Sequence, residues 1–348
     1  MRKTFRHVFG AVAGAVALIA GIAVVPAQAA TGTVVILGDS YSSGNGAGNY
    51  IADGTNCKRS RDAFGTLIAA ANGLTADFQA CSGAITDDVL NRQLGSLNSS
   101  TKYVTVSIGG NDVGFADVMT KCVMPFSNSG CFNGITAARA KAETELPGKL
   151  DRVYAAIKER APQAKVVVAG YPRLIGSCSA LNVITRSETT AINDASDRLN
   201  EITQAAANRA GFAFADVRPS FVGRAVCDNP EWIHHVVLSD ITASFHPKAD
   251  GQRYGYAMPV ANRMGLRTPG TTALPSGGSS VTTGGVTSSD TSRGEIELED
   301  LSVSQIEAIA KDTGVSQQQL DQVLEAREAG ASLAGGGATT TGAATTER

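Results

Sequence analysis

Four short, β-branched runs separated by long Ala-rich stretches limit this chain to few architectures. The first is Thr33-Val34-Val35-Ile36-Leu37-Gly38. Residues 103–108 carry Val104, Val106 and Ile108, residues 165–170 carry Val166, Val167 and Val168, and residues 212–217 carry Phe212, Phe214 and Val217. Continuous apolar runs of this length are expected of strands buried on both faces. A weaker strand-like run, residues 76–80, lies between the first two. The longer segments, residues 132–160 and 182–209, read as helical. In the second, Ile184, Ala191, Leu199, Ile202 and Ala206 recur at helix-like spacing. Strand–helix alternation of this kind predicts an α/β fold, a three-layer α/β/α sandwich whose parallel sheet has helices on both faces.

The ends of the chain differ from this pattern. Arg2, Lys3 and Arg6 precede an apolar stretch at residues 8–25, and Ala27 and Ala29 follow with small-residue spacing. Residues 1–29 therefore read as a cleaved secretory signal, which places the mature chain outside the cell. The main domain is assigned to residues 30–267. Residues 268–294 are dominated by Thr, Gly and Ser and read as a flexible linker. Within residues 295–329, Ser304 with Glu307 and Ser316 with Gln319 spell two capping boxes, which predicts a helical hairpin. The Gly/Ala/Thr-rich tail, residues 330–348, has little to bury and is expected to be disordered.

The 348 residues have a formal net charge of −2 and no basic block, so nucleic acid is not an expected partner. Six cysteines follow the signal: Cys57, Cys81, Cys122, Cys131, Cys178 and Cys227. An even number in an exported chain implies disulfides. Nearest-neighbour pairing gives Cys57–Cys81, Cys122–Cys131 and Cys178–Cys227, one of several connectivities that spacing alone leaves open.

The candidate chemistry lies just after the strands. Gly38-Asp39-Ser40-Tyr41-Ser42 follows the first run directly. In an open parallel sheet, ligands bind beyond the carboxyl ends of the strands, so a serine there sits at the mouth of a site. Ser42 stands where a nucleophile elbow would have its second glycine, so the α/β-hydrolase motif is not matched. Cys81-Ser82-Gly83-Ala84 follows the weaker run, and Gly109-Gly110-Asn111-Asp112 follows the strand at 103–108. Ser244-Phe245-His246-Pro247 precedes an amphipathic segment, and Pro247 suits a helix start that leaves His246 on a loop.

These four blocks, in this order and spacing, resemble the GDSL/SGNH hydrolases over residues 34–264. The Ser-Phe-His-Pro spelling and the consecutive cysteine pairs are similar to the secreted actinobacterial lipases, esterases and phospholipases of that family. The resemblance implies a flavodoxin-like sheet and a serine carboxylic-ester hydrolase that needs no cofactor. Ser40 would be the nucleophile and His246 its general base. The Ser40 and Gly83 backbone N–H groups and the Asn111 side-chain amide would form the oxyanion hole. The family often carries Asp three residues before the histidine, where this chain has Ala243. The carbonyl of Ala243 or Ser244 would then hold the imidazole, with Asp240 as the alternative.

Other polar residues read as structural. Asp39 and Asp112 are expected to brace their loops. His234 and His235 are adjacent and face opposite ways, so no metal is assigned. Trp232 fits either packing or an acyl-pocket wall. The expected partners are a small-molecule or lipid ester substrate and transient contact with lipid or the cell envelope, with the protein a monomer. Two other readings use the same scaffold: a polysaccharide O-acetyl esterase, and a non-catalytic envelope or carbohydrate-binding protein.

Overall fold

The computed structural model describes residues 32–123, 128–176, 184–237 and 240–270. The proposed signal, hairpin and tail, and all but the first residues of the proposed linker, lie outside the described residues.

Five strands form one parallel sheet: β1 (Thr33–Gly38), β2 (Thr75–Phe78), β3 (Tyr103–Ser107), β4 (Lys165–Ala169) and β5 (Ala213–Ala215). Their order is β2-β1-β3-β4-β5, and every pairing is parallel. From β1 the chain first steps to one side, to β2, and then crosses to β3 on the other. The crevice for a ligand therefore opens between the ends of β1 and β3.

The helices are α1 (Ser40–Ser43), α2 (Phe64–Ala71), α3 (Thr86–Asp88), α4 (Phe115–Val123), α5 (Asn128–Thr144), α6 (Leu146–Arg160), α7 (Arg186–Ala210) and α8 (Met258–Met264). A seven-residue π-helical segment, residues 251–257, leads into α8. Helix α2 packs on β1, β2 and that segment, while α8 covers β4 and β5 from the same face. Helix α7 covers β4 and β5 from the opposite face and packs along α6. The core is continuous through the sheet, with Val34, Ile36, Leu37, Val104, Val106 and Val168 fully enclosed.

Three local features differ from the sequence reading. The stretch 132–160 is two helices, broken at Glu145, with Pro147 in the first turn of α6 where its missing N–H costs nothing. Helix α7 begins at Arg186, because Thr185 and Glu188 form a reciprocal capping box there. Pro247 starts no helix. It pairs with Ile233 in an isolated antiparallel bridge, and helical structure begins at residue 249.

Cys57–Cys81 and Cys122–Cys131 are disulfides. Cys227 is also disulfide-bonded, while Cys178 lies outside the described residues. Among the described residues no helix is long and apolar enough to cross a membrane.

Candidate active site

The site begins where β1 ends. Gly38 has φ +121°, and a Cβ there would overlap the Ser107 carbonyl oxygen, so close approach of β1 and β3 requires glycine. Asp39 follows as the N-cap of α1, its carboxylate accepting from Tyr41 N–H at 3.0 Å. Ser40 is therefore the first residue of a short helix at the switch point of the sheet. Its N–H has no intrahelical acceptor by position and finds none elsewhere among the described residues.

Buried hydroxyls lock this corner. Ser107 Oγ donates to Asp39 at 2.7 Å, and Tyr171 OH donates to the other Asp39 oxygen at 2.5 Å. The single Ser107 hydroxyl proton is thus committed, so Ser42 Oγ donates to Ser107 Oγ at 2.8 Å. Ser42 Oγ also accepts the Ser107 N–H, which explains why serine stands where an elbow would have glycine. Asp39 is fully enclosed, and burial raises its pKa to about 6 against the lowering effect of these donors.

His246 reaches Ser40 from 206 positions away in sequence. Its Nε2 lies 2.7 Å from Ser40 Oγ, and its Nδ1 lies 2.9 Å from the Ser244 carbonyl oxygen. A carbonyl only accepts, so Nδ1 carries the proton of the neutral ring. Nε2 is then the lone-pair nitrogen and accepts from the Ser40 hydroxyl. Burial holds the His246 pKa down to about 4, outweighing the Ser244 bond that favours the charged ring. The other candidates for orienting the ring are engaged elsewhere. The Ala243 carbonyl accepts the backbone N–H of His246, and the Asp240 carboxylate takes Lys58 at 3.2 Å and Thr242 at 2.6 Å.

Gly83 lies on the turn after β2, at φ +82°, with open space around its α-carbon. Its N–H has no acceptor among the described residues. The turn is anchored by the Cys57–Cys81 disulfide and by N–H bonds from Cys81 to Gly38 and from Ser82 to Cys57. Asn111 Nδ2 donates to the Ala84 carbonyl at 2.9 Å and shares a groove with Ser40, and its second N–H has no acceptor among the described residues. Asp112 braces the same region through Thr86 N–H at 3.0 Å and Thr86 Oγ1 at 2.6 Å.

The groove is walled by Phe115, Tyr171, Pro172, Leu174 and Leu199, and among the described residues its only carboxylate is the enclosed Asp39. Trp232 is not among its walls. It packs edge-on against Phe221 and carries Arg224 over its ring, so its role is packing. His234 bonds the Gly46 carbonyl and His235 bonds Glu231, and no cluster suited to a metal ion occurs among the described residues.

The sequence reading did not single out Tyr171, Gln93 or Asn45. Gln93 accepts from Gly38 N–H and donates to Gly38 O, and Asn45 Nδ2 bonds the Thr242 carbonyl and Ser82 Oγ. Tyr171 alone carried a usable signal, since it stands two residues past the end of β4, at the ligand-binding end of the sheet.

A serine and an imidazole joined at the switch point of a parallel sheet define a class of hydrolases that work by acyl transfer, and the comparisons agree. Residues 36–254 match the GDSL-like lipase/acylhydrolase family. Lipase 1 of Streptomyces coelicolor is 49% identical over 251 residues, 72% of this chain and 93% of its own. A lipase of Streptomyces rimosus is 47% identical over 232 residues, 66% of this chain and 85% of its own. The crystal structure of phospholipase A1 from Streptomyces albidoflavus superposes with a TM-score of 0.65 at 46% identity, over 67% of this chain and all of the other. That of the extracellular lipase from Streptomyces rimosus gives 0.64 at 46% identity, with the same coverage. The chain belongs to the GDSL-like lipase/acylhydrolase family and is a carboxylic-ester hydrolase.

Proposed function

We propose that the chain is an exported lipase or phospholipase-type esterase that works through an acyl-enzyme on Ser40. The observation that carries this reading is the chain of contacts from Ser40 Oγ to His246 Nε2 and from His246 Nδ1 to the Ser244 carbonyl. Serine is a weak nucleophile until a base lies in hydrogen-bond reach. Ser40 Oγ attacks the ester carbonyl carbon while its proton passes to Nε2. The oxyanion is received by the N–H groups of Ser40 and Gly83 and by the Asn111 amide. The intermediate collapses, and the leaving alcohol takes the proton from Nε2. Water then gives a proton to Nε2, attacks the acyl carbon and releases the acid, and Ser40 regains its proton.

The apolar walls of the groove favour the acyl part of a lipid over a sugar. Export is supported by the basic start, the apolar run and the Ala27/Ala29 spacing, and by similarity to a lipase described as extracellular.

Ser40→Ala is expected to abolish hydrolysis of p-nitrophenyl butyrate and labelling by a fluorophosphonate. Retention of wild-type hydrolysis by that variant overturns the assignment. Phosphatidylcholine and tributyrin are expected to be better substrates than acetyl-xylan, and the reverse order overturns the lipid reading.

A further inference from the structure

A main-chain carbonyl can hold a catalytic imidazole only as firmly as its own turn is held. Here that turn is residues 244–246, and its middle residue, Phe245, has φ +60°, a conformation that bulky side chains avoid. Phe245 is 5% exposed, so the turn is strained and enclosed together. The surrounding structure must over-determine it, and part of the restraint comes from the segment that carries the nucleophile.

Tyr41, the residue after Ser40, donates its hydroxyl to the Phe245 carbonyl at 2.8 Å. Its ring lies 5.1 Å from the His246 ring and 5.1 Å, edge-on, from Tyr171. Its backbone is fixed on both sides, N–H to Asp39 and carbonyl to Gln252 Nε2 at 3.0 Å. Four residues on, Asn45 Nδ2 donates to the Thr242 carbonyl at 2.6 Å, just before the same turn. Asn45 is 1% exposed and its side-chain oxygen accepts from Tyr50 OH. The 40–45 segment thus grips the histidine loop at two carbonyls. Backbone bonds between His234 and residues 245–246 hold the far side.

We propose that Tyr41 and Asn45 are positioning residues for the hydrolytic reaction. Their donors hold the Phe245 and Thr242 carbonyls, which keeps the Ser244 carbonyl on His246 Nδ1 and Nε2 on Ser40. This rests on the reading of Ser40 as nucleophile. Its mechanical consequence is that nucleophile and base-orienting device ride on one short segment. A shift of α1 therefore pulls on the nucleophile and on the loop that holds its base together.

Tyr41→Phe removes one oxygen and keeps the ring. In the full-length protein it is expected to lower kcat/KM on p-nitrophenyl butyrate, and the rate of fluorophosphonate labelling, by at least about tenfold. The loss should fall on kcat, with KM little changed. In ¹⁵N-histidine-labelled protein, the His246 signal, assigned by its absence in His246→Gln, should be the Nδ1–H tautomer in the wild type and a mixture in Tyr41→Phe. Asn45→Ala should give the same tautomer mixture, and it serves as the test if Tyr41→Phe does not fold. The double variant should lose less than the product of the two single losses, because both loosen one loop. Wild-type labelling rates with an unmixed tautomer in a folded single variant overturn the proposal. Ser40→Ala measured alongside separates the two failures. An active Ser40→Ala removes the nucleophile reading, whereas an inactive one beside a fully active Tyr41→Phe removes only the clamp.

Discussion

At the scale of single residues, burial acts on Asp39 and His246, which flank Ser40, in opposite directions. It lowers His246 to about 4 and raises Asp39 to about 6. Both shifts are also stability terms. Between pH 6.5 and about 4 the unfolded chain binds more protons at His246 than the folded one, so this group destabilises the fold as pH falls. Over nearly the same window the folded chain binds more protons at Asp39, so that group stabilises the fold as pH falls. The two effects therefore oppose one another over this window. Activity does not share this opposition, because in the proposed mechanism only His246 accepts the serine proton. The acid limb of kcat/KM for a neutral ester is therefore expected near pH 4, well below the ordinary imidazole value, in a pH profile of p-nitrophenyl butyrate hydrolysis. A limb centred at 6.5 would show that His246 is not enclosed in the working enzyme.

Among elements, the loops after the strands carry more of the site than the strands themselves. The turn bearing Gly83 is pinned by Cys57–Cys81, which closes a separation of 24 residues. Replacing both cysteines with serine is expected to cost about 3 kcal/mol in urea unfolding. It should also lower kcat/KM, since the Gly83 N–H loses its anchor. Stability lost with activity unchanged would remove that turn from the site. Strands β1, β3 and β4 were legible because each is enclosed on both faces and so reads as an unbroken apolar run. Strand β2 lies at the sheet edge with no fully buried residue, and its position was read one to two residues late. The start of α7 was legible in principle, since Thr185 and Glu188 spell its cap. The partners of Tyr41, Asn45 and Gln93 were not, because each lies dozens to hundreds of positions away.

For the whole molecule, every residue assigned to the reaction falls within 40–246, inside the family match at 36–254. Among the described residues, the last element of the sheet and its covering helices ends at Met264. Deleting residues 271–348 is therefore expected to leave kcat/KM on a short soluble ester within about twofold, by initial rates and thermal unfolding, as for a domain with its own core. A collapse of both would place the C-terminal segment in the catalytic unit.

The order of apolar runs and the four short blocks determined the fold class and the family, and singled out Ser40, Gly83, Asn111 and His246 as the proposed site. Those are properties of local pattern, and local pattern is written along the chain. Only the tertiary structure decided that Ser244, rather than Ala243 or Asp240, takes the imidazole, and that Tyr41 and Asn45 reach across to the histidine loop. A main-chain carbonyl has the same chemistry at every position, so nothing but its direction in space selects one from its neighbours.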